Sequence, residues 1–262
     1  MEIITFYYGL NFPCNNSKLI LEVDKPLTTR YEPLQKAYNT IRDRNRRNTN
    51  KRNNALIEEV LTANEQATLT PDSVIKGLKE GNKRFVEGDL TARDHTVQIR
   101  KTVDDQFPKA VILSCVDSRA PVEDVFDKGI GDVFVARVAG NFVNEDILGS
   151  MEFGYKISGS KVILVLGHEH CGAVKAAVDD VKLGNITAML SKIRPAVESV
   201  EYEGDRSSKN KEFLRMACES NVRKTIQDIR INSPILKEME DQGEIKIIGG
   251  VYDMDTGEVD FL

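Results

Sequence analysis

Tryptophan is missing altogether from this sequence, and 262 residues hold only three histidines and four cysteines. The cysteines, Cys14, Cys115, Cys171 and Cys218, lie far apart without the paired spacing of a disulfide framework. That excludes a small disulfide-stapled secreted fold, suits a reducing compartment, and leaves thiolates free for metal or catalysis. No apolar stretch approaches the roughly 20 residues that cross a bilayer, so a membrane-spanning helix is excluded and a soluble protein expected. An excess of basic charge is lacking too. The net charge of -5 and a pI near 5.4 argue against generic nucleic-acid binding. The opening residues, MEIITFYYGLNFPCNNSK, lack the charged-then-apolar order of a signal peptide. A cytoplasmic address is the expectation, with a periplasmic one the alternative if the N-terminus is processed. There is no internal repeat.

What is present is an ordinary globular balance, 40% hydrophobic and 29% charged, enough to bury a core. Residues 1–65 differ from the rest, being polar and Asn-rich with a basic run, RDRNRRNTNKRNN, at 42–54. They read as an atypical N-terminal extension, a solvated or disordered linker; a nucleic-acid or membrane-surface role for the basic run is the rival reading. Residues 66–262 read as one folded domain. Thr70 and Pro71 open a helix carrying Ile75, Leu78 and Phe85, and a second covers Asp94 to Thr102. Compact apolar runs come next at 109–115, 132–139, 161–168 and 244–253, which suit strands buried on both faces of a parallel sheet. Helical patterns separate them: Ile147 to Ser158 closed by Gly159, Gly172 to Leu183 closed by Gly184, Asn185 to Val200, 210–230 and 233–243. The last residues predict a turn at Asp255–Gly257 and an antiparallel edge strand. The expected class is α/β: a mostly parallel sheet of about four strands plus that edge strand, flanked by helices.

Two cysteines stand at the ends of predicted parallel strands. Cys115 ends KAVILSC, and KVILVLGH ends at His168, with Cys171 one turn on. Ligands of open α/β sheets bind beyond such strand ends, so Cys115, His168 and Cys171 can converge. Two thiolates and one imidazole suit zinc, and three protein ligands leave a fourth position open, as catalytic sites do. Taken singly, each motif has a plainer explanation, since a strand-end cysteine is more often a small buried hydrophobe. Cys218, mid-helix, is expected to be packed, and His95 and His170 to lie on the surface or behind the site. In CVDSR, Asp117 and Arg119 leave the strand just after Cys115. On a surface such a pair is worth little. Beside a metal, the arginine keeps the carboxylate ionised and aimed, so that it accepts a hydrogen bond from activated water.

C-x-D-x-R followed by H-x-x-C, each after an apolar strand, resembles the β-class carbonic anhydrases. Further likeness lies in DVFVARVAGN (132–141) and GSMEFGYKISGSKVILVLGHEHCGAV (149–174). The resemblance covers roughly residues 68–262 and makes 66–262 the catalytic domain. It implies that Cys115, His168 and Cys171 bind Zn2+, and that Asp117 and Arg119 form the catalytic dyad. It further implies that Gln106, Phe134, Ala139 and Gly172 border the substrate. Gln106 and Phe134 would come from the neighbouring subunit, so a homodimer or an assembly of dimers is implied, with active sites at the subunit interface. Two departures stand out. Phe153 replaces a tyrosine of plant-type members. Ile112 stands where a bicarbonate-inhibited subclass carries tryptophan, so that subclass's regulatory pocket is not expected here.

The activity this implies is reversible hydration of carbon dioxide to bicarbonate and a proton, by hydroxide generated at zinc and oriented by the dyad. His170 is a candidate proton shuttle. Hydrolysis of a linear analogue such as carbon disulfide or carbonyl sulfide is one alternative. A non-catalytic zinc protein is another.

Overall fold

The computed structural model describes residues 56–262; Cys14 and the basic run at 42–54 lie outside the described residues. Residues 56–65, grouped with the extension on composition, are hydrogen-bonded to the folded domain. Ile57 bridges Arg93, and the Gln98 side chain donates to the Glu59 carbonyl at 3.0 Å. A capping box between Thr62 and Glu65 starts α1 (Ala63–Ala67). Thr70 caps α2 (Pro71–Val86), with proline at its first position, and Asp94 caps α3 (His95–Lys101).

The apolar runs form the sheet. β1 (Ala110–Ser114), β2 (Val133–Arg137), β3 (Val162–His168) and β4 (Lys246–Tyr252) are mutually parallel, and β5 (Val259–Phe261) pairs antiparallel with β4. The strand order is β2-β1-β3-β4-β5, so β2 and β5 are the edges. Burial on both faces holds for β1 and β3, which are buried at every position. It fails for β2, whose residues are half-buried and whose Arg137 is exposed, because an edge strand has only one neighbour.

Alternate strand residues feed two cores. Val111, Leu113, Ile163 and Val165 face one layer, which contains α5 (Glu145–Glu152), α8 (Lys211–Asn232) and α9 (Pro234–Asp241). Ala110, Ile112, Val162, Leu164 and Leu166 face the other, with α2 and the short α4 (Val122–Val125). A third cluster closes the C-terminal end of the sheet, where α6 (Gly172–Val178), α7 (Gly184–Glu198) and α8 pack around Cys115 and Cys171.

Three boundaries depart from expectation. The helix expected from Ile147 begins at Glu145, capped by Asn144, and its last turn, Phe153–Ile157, widens into a π-helix before Gly159 at φ 73°. The helix expected to reach Leu183 stops at Val178, because Asp180 takes a left-handed φ of 53°. Gly184, read as its end, opens α7 instead. With four residues, α4 is too short to show a helical period.

Candidate active site

Parallel pairing of β1 with β3 puts Ser114 opposite Leu166, so Cys115 and His168 emerge at the same end of the sheet. Cys171 comes one turn later, immediately before α6. All three residues are buried, and their ligand atoms lie within 4.8 Å of one another. The two sulfurs are 4.0 Å apart. Two zinc–sulfur bonds of about 2.3 Å at a tetrahedral angle require about 3.8 Å, so the spacing fits one tetrahedral ion. Histidine supplies the sharper test. His168 Nδ1 lies 2.8 Å from the Glu169 carbonyl, to which it can only donate. The other nitrogen, Nε2, then carries the lone pair; it is buried and has no hydrogen-bond partner. A fixed tautomer with an orphaned lone pair beside two sulfurs is a ligand's arrangement.

Asp117 and Arg119 sit on the loop leaving β1. The guanidinium grips the carboxylate at both oxygens, Nε to Oδ1 at 3.0 Å and Nη2 to Oδ2 at 2.8 Å. The Arg119 amide also donates to Oδ1, at 3.0 Å. This guanidinium hydrogen bond outweighs partial desolvation and holds the Asp117 carboxyl well below the usual carboxylate range. Asp117 Oδ2 lies 3.9 Å from His168 Nε2, so the ionised carboxylate borders the ligand cluster itself. Between the two sulfurs, a hydrogen bond from Cys171 is the main force pushing the Cys115 thiol down, and the same contact pushes Cys171 up.

Of the other expected residues, Ala139 lies half-buried in the turn after β2. Gly172 is exposed at the start of α6, where an added Cβ would meet nothing within 4 Å. Gln106 and Phe134 are not brought to this end. Gln106 packs beside Gly131, before β2 begins, and Phe134 pairs with Val111 rather than with the last rung. At about 3.3 Å per residue both lie roughly 10 Å or more from the ligand cluster along the strands. His170 also stands apart, joining Glu169 and Asp255 at a separate cavity of about 270 Å³. Cys218 is packed in α8, and burial pushes its thiol up to about 12.

Two site residues have no motif of their own. Arg137, at the end of β2, donates to the Cys115 carbonyl at 2.9 Å, to Asp117 O at 2.6 Å and to Ala120 O at 3.1 Å. It clamps the loop that presents Cys115 and the Asp117–Arg119 pair together. The Gly140 amide donates to Cys115 Sγ at 3.3 Å. The only sequence signal was their place in VARVAGN.

The sequence profile of the family described as carbonic anhydrase matches residues 110–259, more than half of the chain. Carbonic anhydrase 2 of Mycobacterium tuberculosis (strain ATCC 25618 / H37Rv) is 34% identical over 193 residues, covering 71% of this chain and 90% of that protein. The carbonic anhydrase of Mycolicibacterium smegmatis is 31% identical over 196 residues, covering 72% and 92%. Among solved structures, one of the two tetrameric β-carbonic anhydrases of Sordaria macrospora superposes with a TM-score of 0.56 at 20% identity, covering 73% of this chain and 97% of that one. The matched profile spans the parallel sheet and both loops that carry the clustered Cys and His side chains, and the mycobacterial relatives align over nearly their whole length: the chain belongs to the β-class carbonic anhydrase family.

Proposed function

We propose that the protein catalyses the reversible hydration of carbon dioxide to bicarbonate and a proton, with Cys115, His168 and Cys171 holding one Zn2+. The observation that carries this reading is His168 Nε2, a buried lone pair without a partner, 3.9 Å from an arginine-held carboxylate. Bound zinc supplies Lewis acidity, bringing the pKa of a water from 15.7 toward about 7 and making a nucleophile available at neutral pH. Asp117, kept ionised by Arg119, accepts the hydrogen bond that turns the nucleophile's lone pair toward carbon. Arg137 holds the loop on which both act. Carbon dioxide has no charge to grip, so the apolar surface of Ala139, the bare backbone at Gly172 and a single amide donor suffice. The proton leaves to solvent buffer.

The amide donor and the second apolar wall, Gln106 and Phe134, belong in this reading to a neighbouring subunit. β2 is an open edge, and beside it Val111, Phe134, Ala136, Ile147 and Phe153 line an apolar groove of about 700 Å³. A two-fold partner that pairs antiparallel along this edge reverses strand direction. The partner's N-terminal end of β2 then falls toward this subunit's ligand end, carrying Gln106 and Phe134 with it. A reducing, cytoplasmic setting suits two thiols 4.0 Å apart, whose oxidation to a disulfide would remove both sulfur ligands.

Asp117→Asn tests the catalytic pair. The amide has the shape of the carboxylate without its charge, so zinc per chain should stay at wild-type level while hydration slows about a hundredfold or more. Wild-type turnover in that variant would refute the dyad and favour a purely structural metal.

A further inference from the structure

One turn of α8, Cys218 to Val222, packs against the stretches that carry His168 and Cys171 and reaches Cys115 through Gly140. A Cβ on Gly167 would come within 2.5 Å of Val222 Cγ2, so β3 runs flush against the helix immediately before His168. Cys218 packs in the same buried cluster as Cys171. Between them Asn221, 1% exposed, donates from Nδ2 to the Gly140 carbonyl at 2.8 Å, joining residues 81 apart in sequence. Gly140 in turn donates its amide to Cys115 Sγ at 3.3 Å. Glycine has the freest backbone of any residue. Here it is held on both sides, by a ligand sulfur at its amide and by Asn221 at its carbonyl.

The rest of the Asn221 amide is also informative. Its Oδ1 is buried and has no hydrogen-bond partner. A buried orphan acceptor is unfavourable, and an apolar side chain of the same shape would avoid it. Packing alone therefore does not account for asparagine at this position, whereas its donor does.

We propose that Asn221 is a positioning residue for the metal centre: by fixing the Gly140 carbonyl it holds the turn whose amide donates to Cys115, and so sets how that thiolate points and how strongly it donates. This rests on the reading that Cys115, His168 and Cys171 hold a metal. Outer partners of ligands commonly change metal affinity by about 10–100-fold when removed.

The test is Asn221→Leu, which keeps the shape and removes both the donor and the orphan acceptor. Wild type and variant are stripped, loaded with cobalt(II), and followed by the near-ultraviolet sulfur-to-cobalt band and by release to a competing chelator. The variant should show the band at longer wavelength, since a thiolate without its N–H partner is more readily oxidised, and should release metal about tenfold faster or more. A variant with the wild-type band and release rate overturns the role of Asn221 while leaving the metal reading intact. A wild-type chain that takes up no cobalt overturns the metal reading, and the role of Asn221 with it. A variant that does not fold leaves the wild type to decide, loaded with a spin-active cadmium isotope. There, coupling between cadmium and the Gly140 amide proton, together with slow exchange of the Asn221 side-chain amide, supports the proposal, and the lack of either overturns it.

Discussion

At Gly140 the backbone takes a φ of 83°, and a Cβ would fall 2.3 Å from Ile193 Cδ1 and 3.2 Å from Ala173 Cβ. Gly140→Ala therefore combines left-handed strain with overpacking between α6 and α7. Stability to urea should fall by about 2–4 kcal/mol. Metal retention should fall as well, because the displaced amide is the one that reaches Cys115. A variant as stable as wild type would show that the turn can shift freely. At this scale the candidate donors were legible because their chemistry is local: C-x-D-x-R places Asp117 within bidentate reach of Arg119, and H-x-x-C puts an imidazole and a thiol one turn apart. Arg137 and Asn221 were not legible. Each acts by reaching across the fold to a backbone carbonyl, a partner that has no letter in the sequence.

Asp127 shows how elements are tied together away from the site. Its side chain is fully buried and joins α2, through Arg84, to residues 91–93 beside the turn after α4. Arg93 Nη1 lies 2.6 Å from Oδ1, and Thr91 Oγ1 donates to Oδ2 at 2.6 Å. Burial by itself would raise this carboxyl, but hydrogen bonds from Thr91, Arg93 and Arg84 outweigh it and bring the pKa from 3.8 down to about 2. A depressed carboxylate stabilises fully above its unfolded pKa and loses that contribution as pH falls through the folded one. Asp127→Asn suits the local backbone, since φ is 49° and asparagine tolerates the left-handed region. At neutral pH it should cost about 2 kcal/mol or more of unfolding free energy. The gap between the two proteins should close from about pH 4 down to about pH 2, when chemical denaturation is run at each pH. A gap that does not vary with pH would assign the loss to packing rather than charge. Elements were legible where pattern and length agree, as in the apolar runs that became β1 to β4. They were misread where a single residue set the boundary. Gly184 carries a turn signal that fits the end of one helix as well as the start of the next, and the left-handed Asp180 decided between them.

For the whole molecule, the proposed assembly would place a second subunit along the open edge of β2, where the exposed Phe153 lies beside Phe134 with ring centroids 6.4 Å apart. Phe153→Arg sets a charge in the apolar groove, where burial against a second subunit would strip it of water. Sedimentation should show the assembly shifting toward monomer. Carbon dioxide hydration should fall with it, at unchanged zinc per chain, because Gln106 and Phe134 would no longer meet the metal. An unchanged sedimentation profile with full activity would move the interface elsewhere. Among the described residues no helix is long and apolar enough to cross a membrane.

The order of residues by itself determined the candidate donor set, the charged pair beside it and the alternation of strand and helix, since donor chemistry and short-range periodicity belong to nearby side chains. Only the tertiary structure decided that β1 and β3 are neighbours in register, and hence that Cys115 meets His168 although 52 residues intervene. It also left β2 at the edge, in a register that puts Phe134 beside Val111 and so away from Cys115. Strand order and register arise from how whole elements share their buried faces. No local spacing encodes that.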